Sequence, residues 1–167
     1  MKATTAIVIA LALAGPAAHA GAEEAWLAWA EPGRDPNPVY VSRLDGGTWK
    51  TEICPGAASF SRNYLPCPAP GDDGTLWLVW AAQKGNAEAK VYCSRRENGT
   101  WTTPERVGGA GSGWESNPVA AAGSGGAPWV AWAGAAGGSS EIFCARRIGD
   151  RFEEAEMISR PDGSPDT

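Results

Sequence analysis

The chain has 167 residues, with 14 basic and 19 acidic side chains and a net charge of −5 when histidine is neutral. That balance, without a basic run, offers no footprint for nucleic acid, whose phosphates are held by clustered Lys and Arg. Nine Trp and 22 Gly point instead to short aromatic strands broken by turns, an all-β chain.

The first element in chain order is a leader. Met1-Lys2 supplies a positive charge and Ala6 to Ala14 an apolar run. Gly15-Pro16 breaks that run, and Ala18-His19-Ala20 puts small residues where a signal peptidase reads. The run is well short of the about 20 residues that cross a bilayer. The expected signal peptide is therefore 1–20, cleaved after Ala20, and the expected address is secreted or periplasmic. No lipobox cysteine and no second long apolar run follow, so no lipid anchor and no membrane span are expected. Cleavage takes the net charge to −6 and removes His19, the only histidine. The remaining chain then has no imidazole to activate a nucleophile, act as general base or ligate zinc, which excludes most hydrolase triads and most zinc enzymes. No cofactor and no metal are expected.

The rest of the chain repeats. Trp26, Trp77 and Trp129 are 51 and 52 residues apart, and Trp29, Trp80 and Trp132 keep the same intervals. Tyr40, Tyr92 and Phe143 follow at 52 and 51, as do Trp49, Trp101 and Phe152. Each unit has an aromatic strand apolar on both faces (Ala25 to Ala30, Leu76 to Ala81, Pro128 to Ala133), which suits a strand covered on each side. A polar loop leads to a second strand: Val39 to Arg43, Val91 to Arg95, Ile142 to Arg146. Gly46-Gly47, Asn98-Gly99 and Gly149-Asp150 then supply hairpin turns. An outer strand starts at Trp49, Trp101 or Phe152 and ends near Ile53, Val107 or Ile158. Pro66 to Ala69 and Pro118 to Ala121 read as short inner strands. A four-stranded unit of about 52 residues is the pattern of a β-propeller blade, with a β-sandwich as the lesser alternative. The expected domain is a partial propeller over 21–167, with blade 1 at about 23–54, blade 2 at about 64–108 and blade 3 at about 116–159. The first blade is expected to lack its inner strand.

The stretch Ser42, Asp45, Gly46, Thr48, Trp49 resembles the Asp-box, Ser-x-Asp-x-Gly-x-Thr-Trp, of the sialidase-like (BNR-repeat) propellers, with the acid displaced by one. Ser94, Thr100 and Trp101 keep part of it, and the third copy keeps only Phe152. The resemblance covers nearly the whole chain after the leader. It implies a turn that stabilises the blade on the face away from the ligand, and a ligand site on the opposite face. It also raises glycoside hydrolysis, which needs no histidine. Such enzymes use paired carboxylates, or in sialidases a Tyr–Glu pair with an Asp, an arginine triad and an early Arg-Ile-Pro. No Arg-Ile-Pro occurs here.

Candidate ligand residues are those the repeat leaves unexplained. Arg62 and Tyr64 are assigned to the loop before blade 2. Trp114 and Glu115 are assigned to the loop before blade 3, where Trp114 is either a stacking platform for a sugar ring or a plug between blades. Arg34 and Asp35 lie in the charged loop 31–38. By contrast, Arg43, Arg95 and Arg146 recur once per blade, with Glu52, Glu105 and Glu156 on the neighbouring strand, and are read as cross-strand pairs. Cys54 and Cys67 are candidates for a disulfide, while Cys93 and Cys144 occupy equivalent blade positions too far apart to bridge.

The expectation is a non-catalytic propeller segment or binding module, with a glycan or a cell-surface protein as partner. It would complete its propeller by self-association or from missing blades in a longer parent. The alternative is a sialidase-like glycoside hydrolase.

Overall fold

The structure, a computed structural model, describes residues 9–13, 25–109, 113–123 and 125–159. For 9–13 it gives the backbone alone. Its described residues form three antiparallel sheets in succession. The first contains β1 (Ile9–Leu13), β2 (Ala25–Ala30), β3 (Val39–Asp45) and β4 (Thr48–Ile53), in that order. A 3-10 turn, Pro55–Ser59, leads to the second sheet: β5 (Arg62–Pro70), β6 (Leu76–Gln83), β7 (Lys90–Glu97) and β8 (Thr100–Trp101), with β9 (Glu105–Arg106) also on β7. The third repeats it with β10 (Glu115–Ala122), β11 (Pro128–Ala136), β12 (Ser139–Ile148), β13 (Arg151–Phe152) and β14 (Glu156–Met157). These are blade-like sheets, and each stays open. Among the described residues no helix is long and apolar enough to cross a membrane.

The turns form as their residues dictate. Gly46 and Gly47, and Asn98 and Gly99, all have positive φ, the geometry in which a two-residue hairpin matches strand twist. Each inner strand carries one bulge, between Tyr64 and Cys67 in β5 and between Ser116 and Val119 in β10. Leu65 (φ 49°) and Asn117 (φ 51°) occupy equivalent places inside these bulges.

Three sequence expectations are corrected. First, the apolar run at 9–13 occupies the inner-strand place of the first sheet, paired Ile9 to Trp29 through Leu13 to Ala25. A short apolar run can satisfy the open edge of β2, so the uncleaved chain does not lack the inner strand of its first unit; cleavage after Ala20 would remove that strand again. The other residues of the expected leader lie outside the described residues. Second, the inner strands are longer than read, because the bulges let pairing continue to Arg62 and Glu115. Third, the outer strands of units two and three are each split. Their pairing shifts by one residue between the inner and outer halves: Cys93 faces Glu105 but Arg96 faces Trp101, and Cys144 faces Glu156 but Arg147 faces Phe152. In unit two Pro104 sits in the break, where it has no N–H to give. The first unit has no shift, so Glu52 faces Val41 directly. The extra residue explains why the three glutamates fall slightly off the repeat in sequence.

Two cores lie between the sheets. Trp26, Ala28, Val39, Val41 and Cys54 pack against Leu76, Leu78 and Trp80, with Phe60 of the connecting segment wedged between. Trp77, Val79, Val91, Cys93 and Val107 pack against Val130, Trp132, Phe143 and Ala145. Strand β6 is buried on both faces, as its sequence predicts; β2 and β11 are not, having a neighbouring sheet on one side only.

Arg43, Arg95 and Arg146 do not make the expected cross-strand ion pairs with the three glutamates. Each guanidinium lies over the tryptophan opposite it, Trp26 at 5.6 Å, Trp77 at 5.6 Å and Trp129 at 5.4 Å, while Arg95 pairs with Glu97 at 2.9 Å and Arg146 with Glu153 across the outer ladder at 2.6 Å. Two of the glutamates reach forward to the next sheet. Glu52 pairs with Arg96 at 2.5 Å, and Glu105 pairs with Arg147.

Candidate functional site

At one end of the sheets the β2–β3 loop, 31–38, meets the start of β5. Buried Asn37 and Asn63 lock the two together. The Asn37 side chain donates to the Asn63 carbonyl (2.7 Å) and accepts from its backbone N–H (2.6 Å), and Asn63 Nδ2 donates to the Asn37 carbonyl (2.7 Å). Asn63 Nδ2 also reaches Ala57 O (3.1 Å), and Trp80 Nε1 donates to Asn63 Oδ1 (2.8 Å). The loop is closed at its base by Glu31 N–H to Pro38 O at 3.0 Å.

This junction frames a cleft of about 340 Å³ whose lining includes Arg34, Asn37, Arg62, Asn63, Tyr64 and Leu65. The bulge at Leu65 changes the register beside Tyr64, which stands 37% exposed with its hydroxyl donating to Gln83 Oε1 at 3.2 Å. Arg34 Nη1 lies 3.7 Å from Glu31 Oε2. The same carboxylate oxygen accepts from the Tyr40 hydroxyl at 3.1 Å, and this bond raises the Tyr40 pKa above its usual value. Among the described residues Arg62 makes no ion pair, and no carboxylate lines this cleft.

A second cleft, about 510 Å³, occupies the equivalent junction between the second and third sheets. Tyr64 and Leu65 form one wall, and Gln83, Ala89, Glu115 and Ser116 line the rest. Tyr64 therefore separates two adjacent depressions. Glu115 stands at the repeat position of Asn63 and is fully buried. One of its oxygens accepts from Val91 N–H at 2.8 Å and the other pairs with Arg106. With Glu115 so committed, Trp132 Nε1, the counterpart of Trp80 Nε1, is left without a hydrogen-bond partner.

Of the six candidates, Arg34, Arg62 and Tyr64 come together in the first cleft, and Tyr64 meets Glu115 at the second. Asp35 is exposed in the same loop as Arg34 but lines neither cleft. Trp114, 40% exposed, also lies outside both; its carbonyl accepts from Ala135 N–H at 3.1 Å. Arg62, Tyr64 and Glu115 sit on strands, not in loops. Sequence reasoning passed over Asn37, Asn63 and Gln83. The signal for the first two was a break in the repeat, since Ala89 and Glu115 occupy their places in the next unit.

All four cysteines are free thiols. The candidate Cys54–Cys67 disulfide is not formed, because Cys54 packs into the core between sheets one and two and Cys67 against the core between sheets two and three. Burial pushes the Cys54 thiol up to about 11 and the Cys67 thiol in the same direction. Cys93 is raised well above the usual thiol value by burial, with the Glu105 carboxylate, 3.5 Å from its Sγ, adding to the shift.

No family model matches the sequence, and no curated protein matches it. The fold is similar to the crystal structure of a triple arginine-to-alanine mutant of AofleA from Arthrobotrys oligospora, with a TM-score of 0.55 and 14% identity. The match covers 92% of this chain and 43% of that one, so this chain spans less than half of AofleA's length and the likeness is one of fold.

Proposed function

We propose that the protein is an exported, non-catalytic binding module for glycans, and that its site is the cleft of Arg34, Arg62 and Tyr64 with Asn37 at its base. The observation that carries this reading is their convergence at a junction held rigid by the Asn37–Asn63 bonds. An aromatic face beside guanidinium and amide donors matches a sugar, which offers an apolar ring face and a rim of hydroxyls. Glycoside hydrolysis would need two carboxylates facing the scissile bond, or in a sialidase a Tyr–Glu pair whose Glu is free to act as a base, with an Asp. The first cleft has none in its lining, and Glu115 of the second has both oxygens engaged. Export rests on the leader read at 1–20, and the relation to sialidase-like propellers on the partial Asp-boxes.

A glycan array probed with the mature protein and with Tyr64→Ala tests the reading. Specific signals that fall at least tenfold in the variant are expected. Release of a fluorogenic glycoside that Tyr64→Phe abolishes would overturn it in favour of a sialidase-like hydrolase.

A further inference from the structure

The three sheets repeat position by position, and so do the faces by which they meet. Sheet one turns Trp26, Ala28, Val39, Val41 and Cys54 toward sheet two. Sheet two turns the equivalent Trp77, Val79, Val91, Cys93 and Val107 toward sheet three. The same positions on sheet three are Trp129, Ala131, Ile142, Cys144 and Ile158, and none of them is buried. Trp77 is 3% exposed and Val107 0%, whereas Trp129 is 50% and Ile158 57% exposed.

The opposite faces repeat as well. Leu78, Trp80, Tyr92 and Trp101 of sheet two meet sheet one. Val130, Trp132, Phe143 and Phe152 of sheet three meet sheet two. Sheet one has Leu27, Trp29, Tyr40 and Trp49 at these positions, again none buried, with Trp29 and Tyr40 stacked at 5.3 Å. The molecule thus carries on its two ends the two halves of an interface that it makes twice inside itself. Exposed apolar faces of this extent mark association sites.

We propose that two copies associate head to tail, with the exposed face of sheet three of one copy seated on the exposed face of sheet one of the other, continuing the internal packing across the subunit boundary. A head-to-tail contact either closes into a ring or grows into a filament. Two copies bring six sheets, within the four to eight blades that close a propeller. The boundary differs from the internal junctions in one respect. Glu156 occupies the place of Glu52 and Glu105, and is exposed with no ion pair among the described residues, but the place of Arg96 and Arg147 is held by Leu44 in sheet one. The association is therefore apolar and insensitive to salt.

Sedimentation velocity at micromolar concentration tests this. The wild type is expected to be a dimer whose affinity changes less than twofold between low and high salt. Trp129→Glu and Trp49→Glu are each expected to be folded monomers by circular dichroism, and an equimolar mixture to recover dimer, because each variant keeps the half that the other lacks. Leu44→Arg gives a gain that misfolding cannot imitate: it supplies the missing cation opposite Glu156, tightens the dimer several-fold at low salt, and loses that gain in the Glu156→Gln background. A monomeric wild type, a dimer indifferent to both tryptophan substitutions, or a mixture that stays monomeric would each overturn the proposal.

Discussion

Arg96 of the second sheet lies 2.5 Å from the carboxylate of Glu52 on the first, and the same pairing recurs one unit on between Arg147 and Glu105. The recurrence makes these inter-sheet rivets a property of the repeat. Arg147 does more than pair, since its guanidinium also lies 5.0 Å from the ring centre of Trp77 on the neighbouring sheet. The Glu52–Arg96 pair is partly exposed and should couple by no more than about 1 kcal/mol in a double-mutant cycle. Arg147→Ala loses the ring contact too, and should lower the urea midpoint further than Glu52→Gln.

Asn63 holds the site by bonds that its neighbours cannot replace. Asn63→Ala leaves Trp80 Nε1 buried without an acceptor and removes donors from Asn37 O and Ala57 O. At about 1–3 kcal/mol for each buried group left unmet, the loss should reach about 3 kcal/mol in chemical denaturation. Arg62→Ala, on the exposed rim of the same cleft, should stay within about 0.5 kcal/mol of wild type. Equal losses in the two variants would contradict this division between scaffold and rim.

Gly56 sits where the 3-10 turn passes the second sheet. A Cβ there would lie 2.6 Å from Cδ of Pro104, a ring atom that has little freedom to withdraw. Gly56→Ala should cost about 1–3 kcal/mol through this overlap, measured by thermal or urea unfolding. Gly33, which has positive φ and nothing within 4 Å of its added Cβ, should show only the backbone cost of alanine in that conformation.

The thiols should react in order of burial. Cys144, half-buried on the face of sheet three that the proposed dimer covers, should be alkylated first in the monomeric Trp129→Glu variant, while Cys54 and Cys93 react only as the protein unfolds. Mass spectrometry of the labelled protein reads this directly, and a non-reduced mass should show four free thiols. The folded state holds the Cys54 thiol at about 11, above its ordinary value of 9.0, so it favours the neutral form. That stability is fully present below about pH 9 and is lost as pH rises toward 11. Cys54→Ala should flatten this alkaline decline.

The repeat was legible because a sheet buries the same positions in every unit: the ladders of Trp26, Trp77 and Trp129 and of Tyr40, Tyr92 and Phe143 are strand positions at one period. Three things were not legible. The bulges at Leu65 and Asn117 depend on inter-strand register, so Arg62, Tyr64 and Glu115 read as loop residues. Arg43 and its counterparts suggested pairing with glutamates of the outer strand, yet those glutamates face Val41, Cys93 and Cys144, and the arginines have tryptophan across the inner ladder. The Asn37–Asn63 lock joins residues 26 apart in sequence, and no local pattern announces it. Arg34, Arg62 and Tyr64 could be picked out singly as residues that the period does not explain, but only the fold brings them to one cleft.

The most direct test of the central claim is an amide and side-chain NMR titration of the mature protein with an oligosaccharide selected on the array. Shifts confined to Arg34, Asn37, Arg62, Tyr64 and Gln83, with the sugar recovered intact, are the expected result. Shifts clustered instead at the far end of the sheets, around Trp77 and Arg95, or conversion of the sugar during the titration, would contradict it.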